Sequence, residues 1–228
     1  MSTLARPLGG ATAIEPGVGD DFDLWWSLPG DWVEVPNERR NGWSGVVRTQ
    51  FGGRRCYIKR QCNHLCRTPA HPFGWPTASR EWHYLHRLHA LGITAPLPLY
   101  HASRPTAAGV EAVLATAELT GFTPLSAQTG LTAPRRQALA TAVGHMLGVL
   151  HRARLQHGCL YDKHVMVCWH DDQAQVALLD LEKMRPRLRR SSAARRDLAQ
   201  LRRHQTLWSD AEWNTLLRAH TLAMTGAH

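Results

Sequence analysis

The stretch His157-Gly158-Cys159-Leu160-Tyr161-Asp162-Lys163-His164 decides the fold, because of what lies on either side of it. Upstream, Leu139, Val143, Met146, Leu147 and Leu150 recur at helical spacing within 134–154, with Arg135, Arg136 and Arg152 off that face. Downstream, Val176-Ala177-Leu178-Leu179-Asp180-Leu181 is a short apolar strand pattern carrying a carboxylate near its end. Helical spacing returns over 197–204 and 210–223. The second half of the chain is therefore helical in character, with a histidine-headed loop and an acidic strand end set into it.

The first half reads differently. Over 32–59 short alternating runs dominate: Trp32-Val33-Glu34-Val35, Gly45-Val46-Val47-Arg48-Thr49 and Cys56-Tyr57-Ile58-Lys59. The Gly52-Gly53 pair between the last two predicts a hairpin turn. A proline-bearing loop through Pro69, Pro72 and Pro76 follows. Trp82, Leu85, Leu88 and Leu91 then predict a helix over 77–91, capped by Thr77 or Ser79 and stopped by Gly92. Two more strands are expected at 95–100 and 110–118. The expected class is α+β and bilobal: a flexible tail over 1–21, a small antiparallel β-rich lobe with one helix over 22–119, and a mainly helical lobe over 120–228.

Composition narrows the function. The 228 residues carry 27 basic against 18 acidic side chains, a net charge of +9, so the surface attracts anions. Nucleic acid, acidic lipid headgroups and phosphorylated sugars or nucleotides fit that charge; nucleic acid rests on charge alone. Only Lys59, Lys163 and Lys183 among the basic residues are lysine, and arginine pairs bidentately with carboxylate and phosphate. The run Arg185, Arg187, Arg189, Arg190, Arg195, Arg196 and Arg203 suits an anionic sugar or a headgroup. Five cysteines without scaffold spacing fit a reducing compartment. Cys62 and Cys66 bracket His64, but half of a four-ligand metal site is missing and free thiols are the reading. With no apolar stretch long enough to span a bilayer and no signal-peptide pattern, a cytoplasmic protein is expected. Trp25, Trp26, Trp32 and Trp43 read as core, with membrane docking or sugar stacking as the alternatives.

Taken in order, a strand lysine, a helix glutamate, a His-headed loop and a strand-end aspartate are the parts of a phosphoryl-transfer site. Lys59 would neutralise nucleotide phosphates, and Glu81 would hold that lysine in place. Asp180 would bind magnesium, which takes oxygen donors and keeps several waters, with His164 or Glu182 in support.

These residues resemble the bacterial lipopolysaccharide core kinase family (InaA/WaaP, the Kdo and heptose kinases), which has a protein-kinase-like fold. The resemblance spans 31–223 and is carried by Tyr57-Ile58-Lys59, Ser79-Arg80-Glu81-Trp82, the hinge pair Glu118-Leu119, the His157 loop, Asp180-Leu181-Glu182-Lys183 and Asp197-Leu198-Ala199-Gln200-Leu201. It implies transfer of the ATP γ-phosphate, with Mg2+ or Mn2+, to a hydroxyl of an inner-core sugar (Kdo or heptose), at the cytoplasmic face of the inner membrane and with peripheral contact to it. It also implies nucleotide contacts from Glu118 and Leu119, and from Gly42 and Gly45 of a reduced glycine loop, Asn41-Gly42-Trp43-Ser44-Gly45. The chain departs from the pattern at Cys159, where the family's base is aspartate, and at His164, where the second metal ligand is ordinarily asparagine. Asp162, three residues on, or His157 would then be a displaced base. The alternative is a pseudokinase that binds nucleotide as a regulator or scaffold.

Overall fold

A computed structural model describes residues 22–39 and 42–226. The tail expected over 1–21 and Asn41 of the expected glycine loop lie outside the described residues. A short helix α1 (Phe22–Ser27) leads into β1 (Asp31–Arg39), β2 (Gly42–Phe51) and β3 (Arg54–Cys62). Gly52 and Gly53 form the β2–β3 turn, both at positive φ (57° and 75°), a conformation that side-chain-bearing residues rarely adopt. The proline-bearing segment is not a plain loop. It forms a small hairpin, β4 (Leu65–Thr68) with β5 (His71–Pro76), because both strands of an isolated pair are edges and proline's missing N–H faces outward there.

Next comes helix α2 (Thr77–Ala90), with the chain turning at Gly92 (φ 71°). Neither expected cap is used. Pro76 precedes the first turn, the Thr77 hydroxyl bonds Gln61 and His64, and the Ser79 hydroxyl bonds His101. Strands β6 (Pro98–Thr106) and β7 (Gly109–Ala117) complete a five-stranded antiparallel sheet ordered β1-β2-β3-β7-β6. The first of these starts later than the predicted 95–100 and runs further.

Alternation along β3 sorts the two faces of this sheet. Cys56 and Ile58 pack with Phe22 and Trp25 of α1 and with Val113 and Ala115 of β7. Tyr57, Lys59 and Gln61 point the other way, towards α2 and the second lobe. Trp25 stacks on Tyr100 with ring centroids 5.4 Å apart, and Trp26 lies against Phe22 and Trp43, so these three tryptophans are packing residues, whereas Trp32, on the edge strand β1, is exposed rather than core. Gly42 and Gly45 lie within β2 rather than in a turn. Cβ atoms there would sit 2.5 Å from the Asn63 carbonyl and 2.7 Å from the Trp32 ring, so these glycines permit close packing.

After β8 (Thr123–Pro124) and a 3-10 turn (Leu125–Ala127), helix α3 (Ala133–Arg152) forms the axis of the second lobe. Then follow β9 (Leu155–Gln156), a 3-10 turn (Asp162–His164), the hairpin β10 (Val165–His170) with β11 (Gln173–Leu178), and β12 (Arg185–Pro186) paired to β9. Helix α4 (Arg190–His204) starts seven residues before the expected Asp197, so Arg195 and Arg196 are helical. Helix α5 (Asp210–Thr225) opens on a capping box between Ser209 and Glu212. It packs tightly on α3, because a Cβ on Gly148 would lie 2.5 Å from the His220 carbonyl. The main apolar core runs continuously from α2 and the inner face of β7 through α3 to α5, joining the two lobes.

Candidate active site

Lys59 projects from the inner face of β3 and Glu81 from the second turn of α2, and their charges meet with Nζ 2.5 Å from Oε2. A second carboxylate, Glu182 Oε1, lies 3.0 Å from the same Nζ. Gln61, two residues along the strand, ties the group down by donating to Glu182 Oε1 (3.1 Å). Burial alone pushes the Lys59 ammonium down, but Glu81 and Glu182 outweigh it and hold it protonated, above the ordinary lysine range. One ammonium between two carboxylates leaves one excess negative charge. Its cost falls on Glu81, whose carboxyl burial pushes up, whereas Lys59 overcomes burial at Glu182 and holds it below the usual range.

The His157 loop is held from beneath. Asp197, fully buried on α4, accepts from the backbone N–H of His157 (2.7 Å) and of Gly158 (3.0 Å), and from His151 Nε2 (3.2 Å). Gly158 has φ 80°, and a Cβ there would come within 2.7 Å of the Lys183 carbonyl, so the loop crosses the next segment closely. His157 is itself buried: Nε2 donates to the Leu179 carbonyl (2.8 Å) and Nδ1 accepts from the Cys159 N–H (3.3 Å). Burial pushes its pKa down, against the pull of Asp197, so the ring is neutral with both nitrogens engaged. Such a ring positions the loop and has no nitrogen left for a substrate proton, contrary to the expectation of a base there.

Asp180 lies two residues beyond β11, not at its end, and adopts φ 58°, an unusual conformation for a residue other than glycine. The turn brings Asp180 Oδ2 to 3.4 Å from His164 Nε2 and sends Glu182 to Lys59. With a third of its side chain exposed, Asp180 suits magnesium, which needs few protein oxygens. Cys159 and His164 beside it are softer donors. Burial first, and then Asp180, push the Cys159 thiol up.

The remaining expected residues lie apart from this cluster. Asp162 accepts from the Lys163 N–H (2.9 Å) and lines a cavity of about 350 Å³ between the 125–131 segment and Gln205, Thr206 and Leu207. Neither Lys59, Glu81 nor Asp180 lines that cavity. The Glu118 carboxylate is taken by Arg48 (2.9 Å), Arg55 (2.6 Å) and Tyr57 (3.3 Å), its backbone N–H donates to the Arg55 carbonyl (3.0 Å), and its carbonyl accepts from the Thr120 N–H (3.0 Å). Cys62 and Cys66 direct their sulfur atoms to the carbonyls of Ala108 and Trp75, and His64 bonds Thr77.

Sequence reasoning missed Asp197 as the anchor of the loop and Glu182 as the second partner of Lys59. Asp197 had a signal, since it shares a helix face with Ala193, Ala194 and Leu201, where an aspartate needs partners. It also missed Arg80, whose guanidinium donates to the Met184 carbonyl and so ties α2 to the segment after Asp180.

A family model described as the lipopolysaccharide kinase (Kdo/WaaP) family matches residues 23–220. The chain belongs to this family. Protein InaA of Escherichia coli (strain K12) is 35% identical over 211 residues, covering 90% of this chain and 97% of that protein. Among solved structures, WaaP in complex with acyl carrier protein superposes with a TM-score of 0.70 at 22% identity, covering 89% of this chain and 82% of that one. A Rio2 kinase–ADP/Mg2+–phosphoaspartate complex from Chaetomium thermophilum gives a TM-score of 0.52 at 11% identity over 86% of this chain and 66% of that one. Both share the protein-kinase-like fold expected from the sequence. No helix among the described residues is long and apolar enough to cross a membrane.

Proposed function

We propose that this member of the family binds ATP with a divalent metal and transfers the γ-phosphate to a sugar hydroxyl of the lipopolysaccharide inner core, Kdo or heptose. The observation that carries the reading is the Lys59–Glu81 ion pair, already closed and flanked by Asp180. A lysine held charged in a buried site neutralises α/β-phosphates without further rearrangement. At the hinge the pair Glu118-Leu119 offers the Leu119 N–H, the Glu118 N–H being held by the Arg55 carbonyl (3.0 Å), and β2 covers the nucleotide with Gly42 and Gly45 closely packed on Asn63 and Trp32. Asp180, with His164 beside it, would hold Mg2+ or Mn2+, whose charge offsets that developing on the phosphates. Asp162 is assigned the proton of the acceptor hydroxyl as its oxygen bonds to the γ-phosphorus and the bond to ADP breaks, which requires the sugar to enter by the cavity that Asp162 lines, apart from the Lys59–Glu81–Asp180 cluster; His157 keeps the loop in place. The arginines at 185–203 receive the anionic sugar at the inner face of the membrane, a cytoplasmic setting with peripheral contact.

A second reading, a pseudokinase that binds nucleotide without turnover, is favoured by Cys159. Its thiol stands at the base position and is buried and protonated. ATP binding and hydrolysis with Mg2+ or Mn2+ separate the two in wild type, Asp180→Ala and Asp162→Ala. Turnover lost in both variants supports the kinase with Asp162 as base. Metal-dependent binding without turnover, even with core sugars added, supports the pseudokinase, and absence of binding refutes both.

A further inference from the structure

The turn at Asp180 and the His157 loop bring three chemically different donors together. Cys159 Sγ, a ring nitrogen of His164 and a carboxylate oxygen of Asp180 all lie within 4.8 Å of one another. We propose that Cys159, His164 and Asp180 form a site for a soft divalent cation of the zinc class, with its fourth position open to water. Cys159 and His164, the two residues that depart from the kinase pattern, are the ones that complete the set.

The orientation of His164 is the main argument. Its Nδ1 lies 2.7 Å from the Cys159 carbonyl, which accepts only, so Nδ1 carries a proton. In the neutral ring Nε2 is then a lone pair, and it faces Asp180 Oδ2 at 3.4 Å. Two acceptors held face to face need positive charge between them, supplied by a second proton on the ring or by a cation. Histidines that bind metal characteristically donate their other N–H to a carbonyl or carboxylate in this way. Donor atoms in a tetrahedral zinc site are about 3.5 Å apart, so the His164–Asp180 spacing is already that of a loaded site. Cys159 Sγ, within 4.8 Å of both, has the furthest to move on loading.

The donor chemistry agrees. A thiolate and an imidazole with one carboxylate select zinc-class ions over magnesium. Binding replaces the thiol proton of Cys159, which leaves to solvent as the S–metal bond forms. Lys183, whose Nζ is 3.9 Å from Sγ, is exposed and free to swing aside. The exposed third of Asp180 provides entry and the open position. An ion bound there occupies the carboxylate assigned above to the nucleotide's metal, so it would block turnover; that consequence, unlike the site, rests on the kinase reading.

The test uses the full chain without nucleotide, so its outcome is independent of any phosphoryl transfer. Cobalt(II) titration is expected to produce thiolate-to-cobalt charge-transfer absorption in the near ultraviolet, saturating at one equivalent. Zinc should abolish it and millimolar magnesium should not. Cys159→Ser should remove the absorption and weaken zinc binding by more than about tenfold, and His164→Gln should weaken zinc binding to a similar degree. Cys168→Ser is the control, since Cys168 Sγ also lies close to a histidine nitrogen, His170 Nε2 (3.8 Å), and it should leave the absorption intact. Thermal melting confirms that each variant is folded. Absence of the band in wild type, its survival in Cys159→Ser, or its loss in Cys168→Ser overturns the assignment.

Discussion

Replacing Asp197 with Asn tests the idea that one buried carboxylate holds the His157 loop in place. The carboxylate is fully buried and accepts three hydrogen bonds, at 2.7 Å and 3.0 Å from the His157 and Gly158 N–H groups and at 3.2 Å from His151. Asn keeps one carbonyl oxygen but turns an NH2 towards an N–H, so at least one charge-assisted bond is lost and a donor is stranded. At about 1.5–3 kcal/mol for such a bond and about 1–3 kcal/mol for a stranded buried group, a loss of roughly 3–5 kcal/mol is expected. With a urea m-value of about 3 kcal/mol/M, that lowers the midpoint by about 1–1.7 M with m unchanged. The pH dependence adds a second check. Burial pushes the Asp197 carboxyl up, but the bonds from His151 and Gly158 prevail and hold it below its ordinary 3.8. A group depressed in the folded state contributes stability above its unfolded pKa and loses it as pH falls through the folded one. The deficit of the variant should therefore be full at pH 7 and shrink below pH 3.8. Urea midpoints within about 0.2 M of wild type at pH 7, or a deficit that widens in acid, would refute the reasoning.

Three further outcomes are expected. Glu182→Gln should destabilise more than Glu81→Gln, because Lys59 holds Glu182 ionised while burial already disfavours the Glu81 carboxylate; equal urea midpoints, or the reverse order, contradict this. Gly148→Val forces α3 away from the His220 carbonyl, which a Cβ would approach to 2.5 Å, and overpacking of this kind should lower Tm by about 5 °C or more; an unchanged melting curve in calorimetry counts against the packing described. His101 and His220, both held down to about 4 by burial, contribute stability that is present above the unfolded value of 6.5 and lost as pH falls towards 4. Urea midpoints should decline across that window, the decline should flatten in a His101→Gln/His220→Gln variant, and a flat wild-type profile contradicts the assignment.

Much of this molecule was legible one segment at a time. The Gly52-Gly53 turn, helices α2, α3 and α5, and the pairing of Lys59 with Glu81 follow from short-range periodicity, turn chemistry and the order of motifs. Period two along β3 places Lys59 on the face opposite Ile58, and an isolated charge there needs a partner. The β4–β5 hairpin escaped because proline marks a loop and an edge strand alike. His157 looked like a base because residue type alone does not tell which ring nitrogens are taken.

The tertiary structure alone decided which carboxylate does what. In an extended strand, alternation would set Asp180 and Glu182 on the same side. β11 instead ends at Leu178, and the left-handed turn at Asp180 (φ 58°) rotates the two apart, Asp180 to His164 and Glu182 to Lys59 on the other lobe. Lys59 and Glu182 are 123 residues apart in the chain, so no local signal encodes their meeting. The sequence by itself determined which chemical groups are present and on which kind of element each rides. Packing of the two lobes through one continuous core determined which of them touch, since side-chain contact depends on long-range burial and backbone turns that local periodicity does not specify.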